Sequence, residues 1–252
     1  MDIDIVLQNQ TERLWIIAVF LLAGVFLTGL GRHRKKRYAR SEYRRETGNK
    51  RKKVEQDAGK NGEYETSIAL EKIRGRRCFV FNAYIPRADG RGSVEIDIIM
   101  IHERGIVVIE NKNYSGEISG RADQAYWQQR LAGKRIGFYS PVYQNISHVR
   151  HVRSFLKNHM DGMSSPPIFS AVIFNDRIQK LKIRRKWRSE AVICVSKKAP
   201  KKIWKKLKRQ EPVFSEAEME ELYRLLKSRA EVFRWVKRRH RKKVIKYKKM
   251  LD

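Results

Sequence analysis

The chain has 252 residues and a formal net charge of +30, from 57 Lys and Arg against 27 Asp and Glu. That excess is far beyond what solubility requires and points to an anionic partner, either nucleic-acid phosphates or an anionic membrane face. The two cysteines, Cys78 and Cys194, lie in separate apolar runs; this excludes a zinc-ligand spacing and a disulfide framework, and both read as buried thiols in a reducing compartment.

In chain order, residues 1–13 are short and slightly acidic, and Leu14 to Leu30 carry no charge. A helix over 14–30 reaches about 26 Å, enough for a bilayer core. Arg32, Arg34, Lys35, Lys36 and Arg37 follow it at once. A cleavable signal peptide carries its positive charges before the apolar stretch. The expectation is therefore an uncleaved N-terminal anchor over 1–31, with its transmembrane helix at 14–30, in the inner (plasma) membrane and with the C-terminal body cytoplasmic. Residues 32–57 read as a basic juxtamembrane linker that suits anionic lipid or holds DNA near the membrane.

A helix is predicted over 60–74, with Asn61 as its cap and Glu63 and Glu65 in the first turn, where carboxylates complement the helix dipole. Residues 78–85 read as a strand and Pro86–Gly92 as a turn. Two β-rich runs follow, Val94–Ile101 and Ile106–Glu110, around the short segment His102–Gly105. Runs so apolar read as strands buried on both faces and joined as a hairpin. Three charges break the pattern: Asp97, Glu110 and Lys112. If Ile101 pairs with Ile106, Asp97 faces Glu110 with Cβ atoms about 5 Å apart, and Lys112 shares their face. Two carboxylates so placed repel, and one loses its charge unless a cation lies between them. Mg²⁺ (or Mn²⁺) suits such a pair, with the Asn111 carbonyl as a further ligand and Lys112 beside an attacking water. A plain salt bridge of Lys112 with either acid at a sheet edge is the other reading.

Residues 113–140 are polar and punctuated by Gly, with Tyr126 and Trp127 expected to anchor them. A helix is predicted over 141–160 from Val142, Ile146, Val149, Val152, Phe155 and Leu156. Gln144, in its first turn, either holds a water or phosphate oxygen or makes a cap-like contact. His148 and His151 have no third ligand nearby in sequence and read as phosphate contacts or solvated residues. Strands are predicted over 168–174 and 190–195, the first reached by a crossover that favours parallel pairing. Between them runs a basic loop holding Lys180, Lys182, Arg184 and Arg188. The tail, 197–252, is basic and helical; Ser215-x-x-Glu218 is a capping box opening a helix with Met219, Leu222, Leu226, Phe233 and Val236 on one face. Such a helix lies on a membrane, packs on the domain or grips nucleic acid, and the sequence does not choose.

Asp97, a hairpin, then Glu110-x-Lys112 resembles the signature of the PD-(D/E)XK nuclease fold. The surroundings resemble, more specifically, the nuclease-related domain called NERD. The matching residues in order are Gly59-x-x-Gly62-Glu63, Glu95-Ile96-Asp97, the run Gly105 to Gly116, Trp127, and Pro141-x-x-Gln144. The family usually has Asn before that Pro, where this chain has Ser140; the helix start is left intact. The resemblance covers roughly residues 58–160. It implies an α/β, restriction-endonuclease-like fold, a mixed sheet flanked by helices, over 58–196. It also implies metal-dependent hydrolysis of nucleic-acid phosphodiesters, with DNA as the expected substrate. Asp97 and Glu110 would hold Mg²⁺ or Mn²⁺, Lys112 would assist the attacking water, and Glu63 and Gln144 would complete the site. The alternative is a membrane-tethered nucleic-acid-binding module without turnover.

Overall fold

The computed structural model describes residues 3–87, 89–160, 165–184 and 190–231; in the first helix, side chains are described at residue 15 and from residue 19 onward. The chain begins with α1 (Ile3–Arg40), α2 (Glu42–Thr47), α3 (Arg51–Glu55) and α4 (Ala58–Leu70). Strands β1 (Arg77–Pro86), β2 (Ser93–His102) and β3 (Gly105–Lys112) follow, then β4 (Gly116–Arg121), β5 (Tyr126–Leu131) and β6 (Lys134–Tyr139). Helix α5 (Pro141–Lys157), strands β7 (Ile168–Phe174), β8 (Ile178–Arg184) and β9 (Val192–Val195), and helices α6 (Ala199–Leu207) and α7 (Glu216–Lys227) complete the fold.

The central sheet has the order β1-β2-β3-β7-β9, with β1, β2 and β3 antiparallel and β3, β7 and β9 parallel. The middles of its strands are apolar because both faces are covered. One face, with Phe79, Ile98, Met100, Val107 and Ile109, packs under Leu70 and Ile73 and under Ile203 and Leu207 of α6. The other, with Ile99, Ile101, Ile106 and Val108, packs under Val152 and Phe155 of α5 and Leu222 and Leu226 of α7. The hairpin register is the expected one, Ile101 opposite Ile106. Helix α4 starts earlier than the sequence suggests, because Asp57 rather than Asn61 caps it by accepting from Lys60 N. This mixed α/β architecture, two mixed sheets flanked by helices, fits a restriction-endonuclease-like fold.

Three expectations are corrected. The first concerns 113–140 and the basic loop around Lys180, which form a second sheet of order β6-β5-β4-β8. Its inward residues, Ile118, Trp127, Phe138, Leu181 and Ile183, pack on Val172, Phe174 and Ile193 of the central sheet. The alternation is faint because Gly120 takes an inward position, where a Cβ would come within 2.5 Å of the Trp127 ring. The β5–β6 tip turns through Ala132 (φ 49) and Gly133 (φ 80), the pair of positive φ values that a tight hairpin of right-handed twist demands. Trp127 is buried as expected, while Tyr126 is exposed. Residues 185–189, with Arg188, lie outside the described residues.

The second correction concerns the basic linker. Tyr38, Tyr43 and Val54 are buried in the central core, and the Tyr43 ring stands edge-on to Tyr64 and Phe81 at 5.9 and 5.1 Å. The Lys and Arg residues around these three point outward and hide the apolar signal. The tail likewise packs on the domain through α6 and α7, with the Ser215–Glu218 capping box present; Phe233, Val236 and the closing basic runs lie outside the described residues. The third concerns the transmembrane helix expected over residues 14–30. That stretch is the middle of α1, with the side chains of residues 14 and 16–18 outside those described, and among the described residues no helix is long and apolar enough to cross a membrane. The anchor therefore finds no support among the described residues.

If the segment before α4 is part of the fold, Tyr43→Ala, which empties a fully buried ring site, should cost about 3–5 kcal/mol. Urea unfolding of the full chain checks this; a loss below about 1 kcal/mol would return residues 38–54 to the status of a linker.

Candidate metal and nucleic-acid site

The site forms where β2 leaves β3. The ladder runs from His102↔Gly105 to Ile98↔Ile109. One residue further, Asp97 Oδ2 accepts from Asn111 N at 2.8 Å, so a side chain replaces the next backbone bond. Strand β3 stays in the sheet through β7, with Glu110 opposite Val172 and Lys112 opposite Phe174. On the outer side, β1 and β2 pair up to Phe81↔Ile98 and resume at Ala83↔Ile96. Between them Asn82 adopts φ 54, unusual for a residue with a Cβ. The central strand thus continues while its neighbour opens, and Asp97 and Glu110 are left side by side in the gap.

Glu110 is only 1% exposed. Its Oε1 lies 2.5 Å from Lys112 Nζ, which also donates to Gln144 Oε1 at 3.1 Å. Its Oε2 lies 3.3 Å from His148 Nδ1 without hydrogen-bond alignment, and both atoms are buried with no hydrogen-bond partner among the described residues. Gln144 reaches the site because Ser140 Oγ accepts from Tyr143 N and starts α5 there. Below the hairpin end, Gly62 brings α4 close; a Cβ at that position would lie 2.8 Å from Asn111 Nδ2. Thr66 Oγ1 donates to Asn111 Oδ1 at 2.6 Å. Glu63 Oε2 accepts from Tyr43 OH at 3.3 Å and from Asn82 Nδ2 at 3.2 Å.

Burial, reinforced by the Glu110 and Glu63 charges, holds the Asp97 carboxyl well above its ordinary range. Burial alone would raise Glu110 too, but Lys112 and His148 outweigh it and bring the group below its usual value. Burial opposes the Lys112 charge, yet Glu110 and Asp97 overcome it and raise its affinity for the proton. Burial pushes Glu63 up to about 7 against the lowering bonds from Asn82 and Tyr43. The two facing carboxylates have therefore split, one anionic and one inclined to keep a proton, as expected for close acids in a dry place.

All five sequence-predicted residues converge on this end of β3: Glu63 from α4, Asp97 from β2, Glu110 and Lys112 from β3, and Gln144 from α5. The salt bridge and the metal readings are not exclusive, because Lys112 uses one Glu110 oxygen and leaves the other without a donor. No group of three His, Cys, Asp or Glu able to hold a metal occurs among the described residues. Two carboxylates with a buried, partnerless oxygen nevertheless fit a hard divalent ion that keeps several waters. His148 is corrected from a solvated residue to a buried neighbour of Glu110. Its position one helical turn beyond Gln144 was the available signal. His151 is also buried, beside Ser147. Asn82 and Tyr43 had no signal in the sequence, since each acts on Glu63 from a distant element.

Residues 58–175 match the family model of the nuclease-related domain, NERD. An uncharacterized protein of Bacillus anthracis, pXO1-01, is 29% identical over 114 residues, which are 45% of this chain and 54% of that one. The chain thus spans about half the length of that relative. No solved structure matches.

The Glu63 environment sets a stability slope. Below pH 4.5, its ordinary value, the carboxyl is protonated folded and unfolded; between 4.5 and about 7 only the unfolded chain ionises. Stability from this group is therefore lost as pH rises through that window, by on the order of 3 kcal/mol. Glu63→Gln should flatten the slope in chelator-treated protein unfolded by urea at pH 5 and pH 7.5, and an unchanged slope would place the Glu63 carboxyl in an ordinary environment.

Proposed function

We propose that this chain, which carries a nuclease-related domain over residues 58–175, hydrolyses nucleic-acid phosphodiester bonds, DNA first among them, with Mg²⁺ or Mn²⁺. The observation that carries this reading is the buried Glu110 carboxylate, with one oxygen on Lys112 and the other without a donor, beside Asp97.

Asp97 and Glu110 would hold the cation, which when bound would act as a Lewis acid on a phosphoryl oxygen. Binding requires Asp97 to give up its proton, so affinity for the ion rises with pH. Lys112, kept cationic by the carboxylates, steadies negative charge developing on the scissile phosphate. Gln144 holds the Lys112 ammonium on the α5 side, and His148 backs Glu110. Glu63, with an affinity for protons near neutrality, is suited to take the proton of the attacking water at Oε1, the oxygen that Tyr43 and Asn82 leave uncovered.

Asp97→Ala and Glu110→Ala should each lower cleavage by at least about a thousandfold while leaving nucleic-acid binding in place, and chelation should do the same to the wild type. Direct Mn²⁺ binding, read by calorimetry without substrate, should disappear in Glu110→Ala. Normal cutting by Asp97→Ala would overturn the mechanism. Binding without cutting in every metal would leave a binding module whose acids are structural.

A further inference from the structure

The second sheet has one buried and one open face, and the open face has an unusual composition. Along β5 and β6 the cross-strand pairs facing outward are Tyr126↔Tyr139, Gln128↔Gly137 and Arg130↔Arg135. The two tyrosines are 60% and 47% exposed, with ring centroids 6.0 Å apart. Nothing stands over Gly137, where an added Cβ would meet open space. Further across the same face, β8 presents Lys180 and Lys182 beside Glu117 and Ser119 of β4. Glu117 also stands opposite Arg130, and it is the one acid among the outward residues named. Arg130, Arg135, Lys180 and Lys182 form no ion pair with a described residue.

Two features of this face are hard to explain as mere surface. Like charges directly opposite on neighbouring strands, as in Arg130↔Arg135, destabilise a sheet. Large exposed aromatics give up burial that the inner face, with Trp127 and Phe138, obtains. Both costs are recovered if the occupant is a chain of phosphates bearing flat rings. An aromatic platform flanked by cations grips unpaired nucleotides, whose bases stack on the rings while their phosphates meet Lys and Arg. A duplex hides its base faces and would use the cations alone.

The platform also leads to the site. The Tyr139 ring lies 6.5 Å from that of Tyr143, which donates to the Asp123 carbonyl and is the residue before Gln144. Gln144 in turn holds Lys112, and β4 begins four residues after Lys112. Tyr126, Tyr139 and Tyr143 therefore lead from the open face to the first turn of α5, the turn that also carries Gln144.

We infer that the open face of the β6-β5-β4-β8 sheet is a docking platform for an unpaired strand of nucleic acid, with Tyr126 and Tyr139 stacking bases and Arg130 and Arg135 holding phosphates. The inference rests on the nucleic-acid reading above and narrows it to substrates with single-stranded segments or frayed ends.

The test is fluorescence anisotropy of the full chain in chelator, with a labelled single strand and a blunt duplex. Tyr126→Ala/Tyr139→Ala should weaken single-strand binding roughly tenfold or more and change duplex binding much less, with the melting temperature unmoved. Tyr126→Phe/Tyr139→Phe should retain the wild-type affinity. Arg130→Ala/Arg135→Ala should lower the slope of log affinity against log salt by about 1.4. Wild-type-like single-strand affinity in the Tyr-to-Ala variant, or equal losses for single strand and duplex, overturns the platform and leaves the proposed hydrolysis standing. A wild type that binds neither form overturns both. Binding to anionic vesicles, lost in the arginine variant while nucleic-acid affinity is unchanged, overturns the platform in favour of lipid.

Discussion

The structure turns on a buried ion pair at the end of one strand. A carboxylate as enclosed as Glu110 is expensive to desolvate, and an ammonium beside it equally so. Their mutual attraction offsets that cost only if the geometry is held, and three elements hold it. Strand β7 keeps β3 in the sheet through Lys112, α5 brings Gln144 and His148 over the pair, and α4 closes from beneath through Thr66 and Asn111. A pair of apolar residues in the same place would be easier to fold. What it would lack is an anionic oxygen in a dry pocket with only the unaligned His148 ring beside it, a group of the kind that attracts a cation.

The opening of the sheet creates that pocket. With unbroken ladders, Asp97 would donate and accept along the backbone like its neighbours and the acids would be crowded against each other. Instead Asn82 and Asp97 step out of the β1–β2 ladder, and Asp97 bonds to the Asn111 amide through its side chain. Irregular pairing beside a functional centre is common because it re-aims side chains. Here it aims Asn82 at Glu63 as well, so one disturbance of the strands fixes two of the three acids.

The hairpin and its charges were legible in the sequence because charge inside an apolar strand has no cheap structural explanation. The register followed from a short turn, and the helices before and after the hairpin from apolar spacing. The second sheet was not legible: with one face open and Gly120 under Trp127, its inner positions are too few and too interrupted to read as strands. Nor was the segment holding Tyr38 and Tyr43, where single apolar residues sit among Lys and Arg and acquire meaning only once the core they enter exists. Site residues supplied by side chain to side chain relays, Tyr43 and Asn82 on Glu63, leave no local pattern at all.

Tyr43 lies fifteen residues before the matched nuclease-related region begins, yet its hydroxyl touches an acid of the site and its ring fills the core. The unit that folds and the unit that sequence families delimit are therefore different objects in this chain. A cassette cut at residue 58 for grafting or recombination would carry every motif residue and still arrive incomplete. The portable module begins with the last turn of α1, so whatever that helix is fastened to is mechanically continuous with the acid cluster.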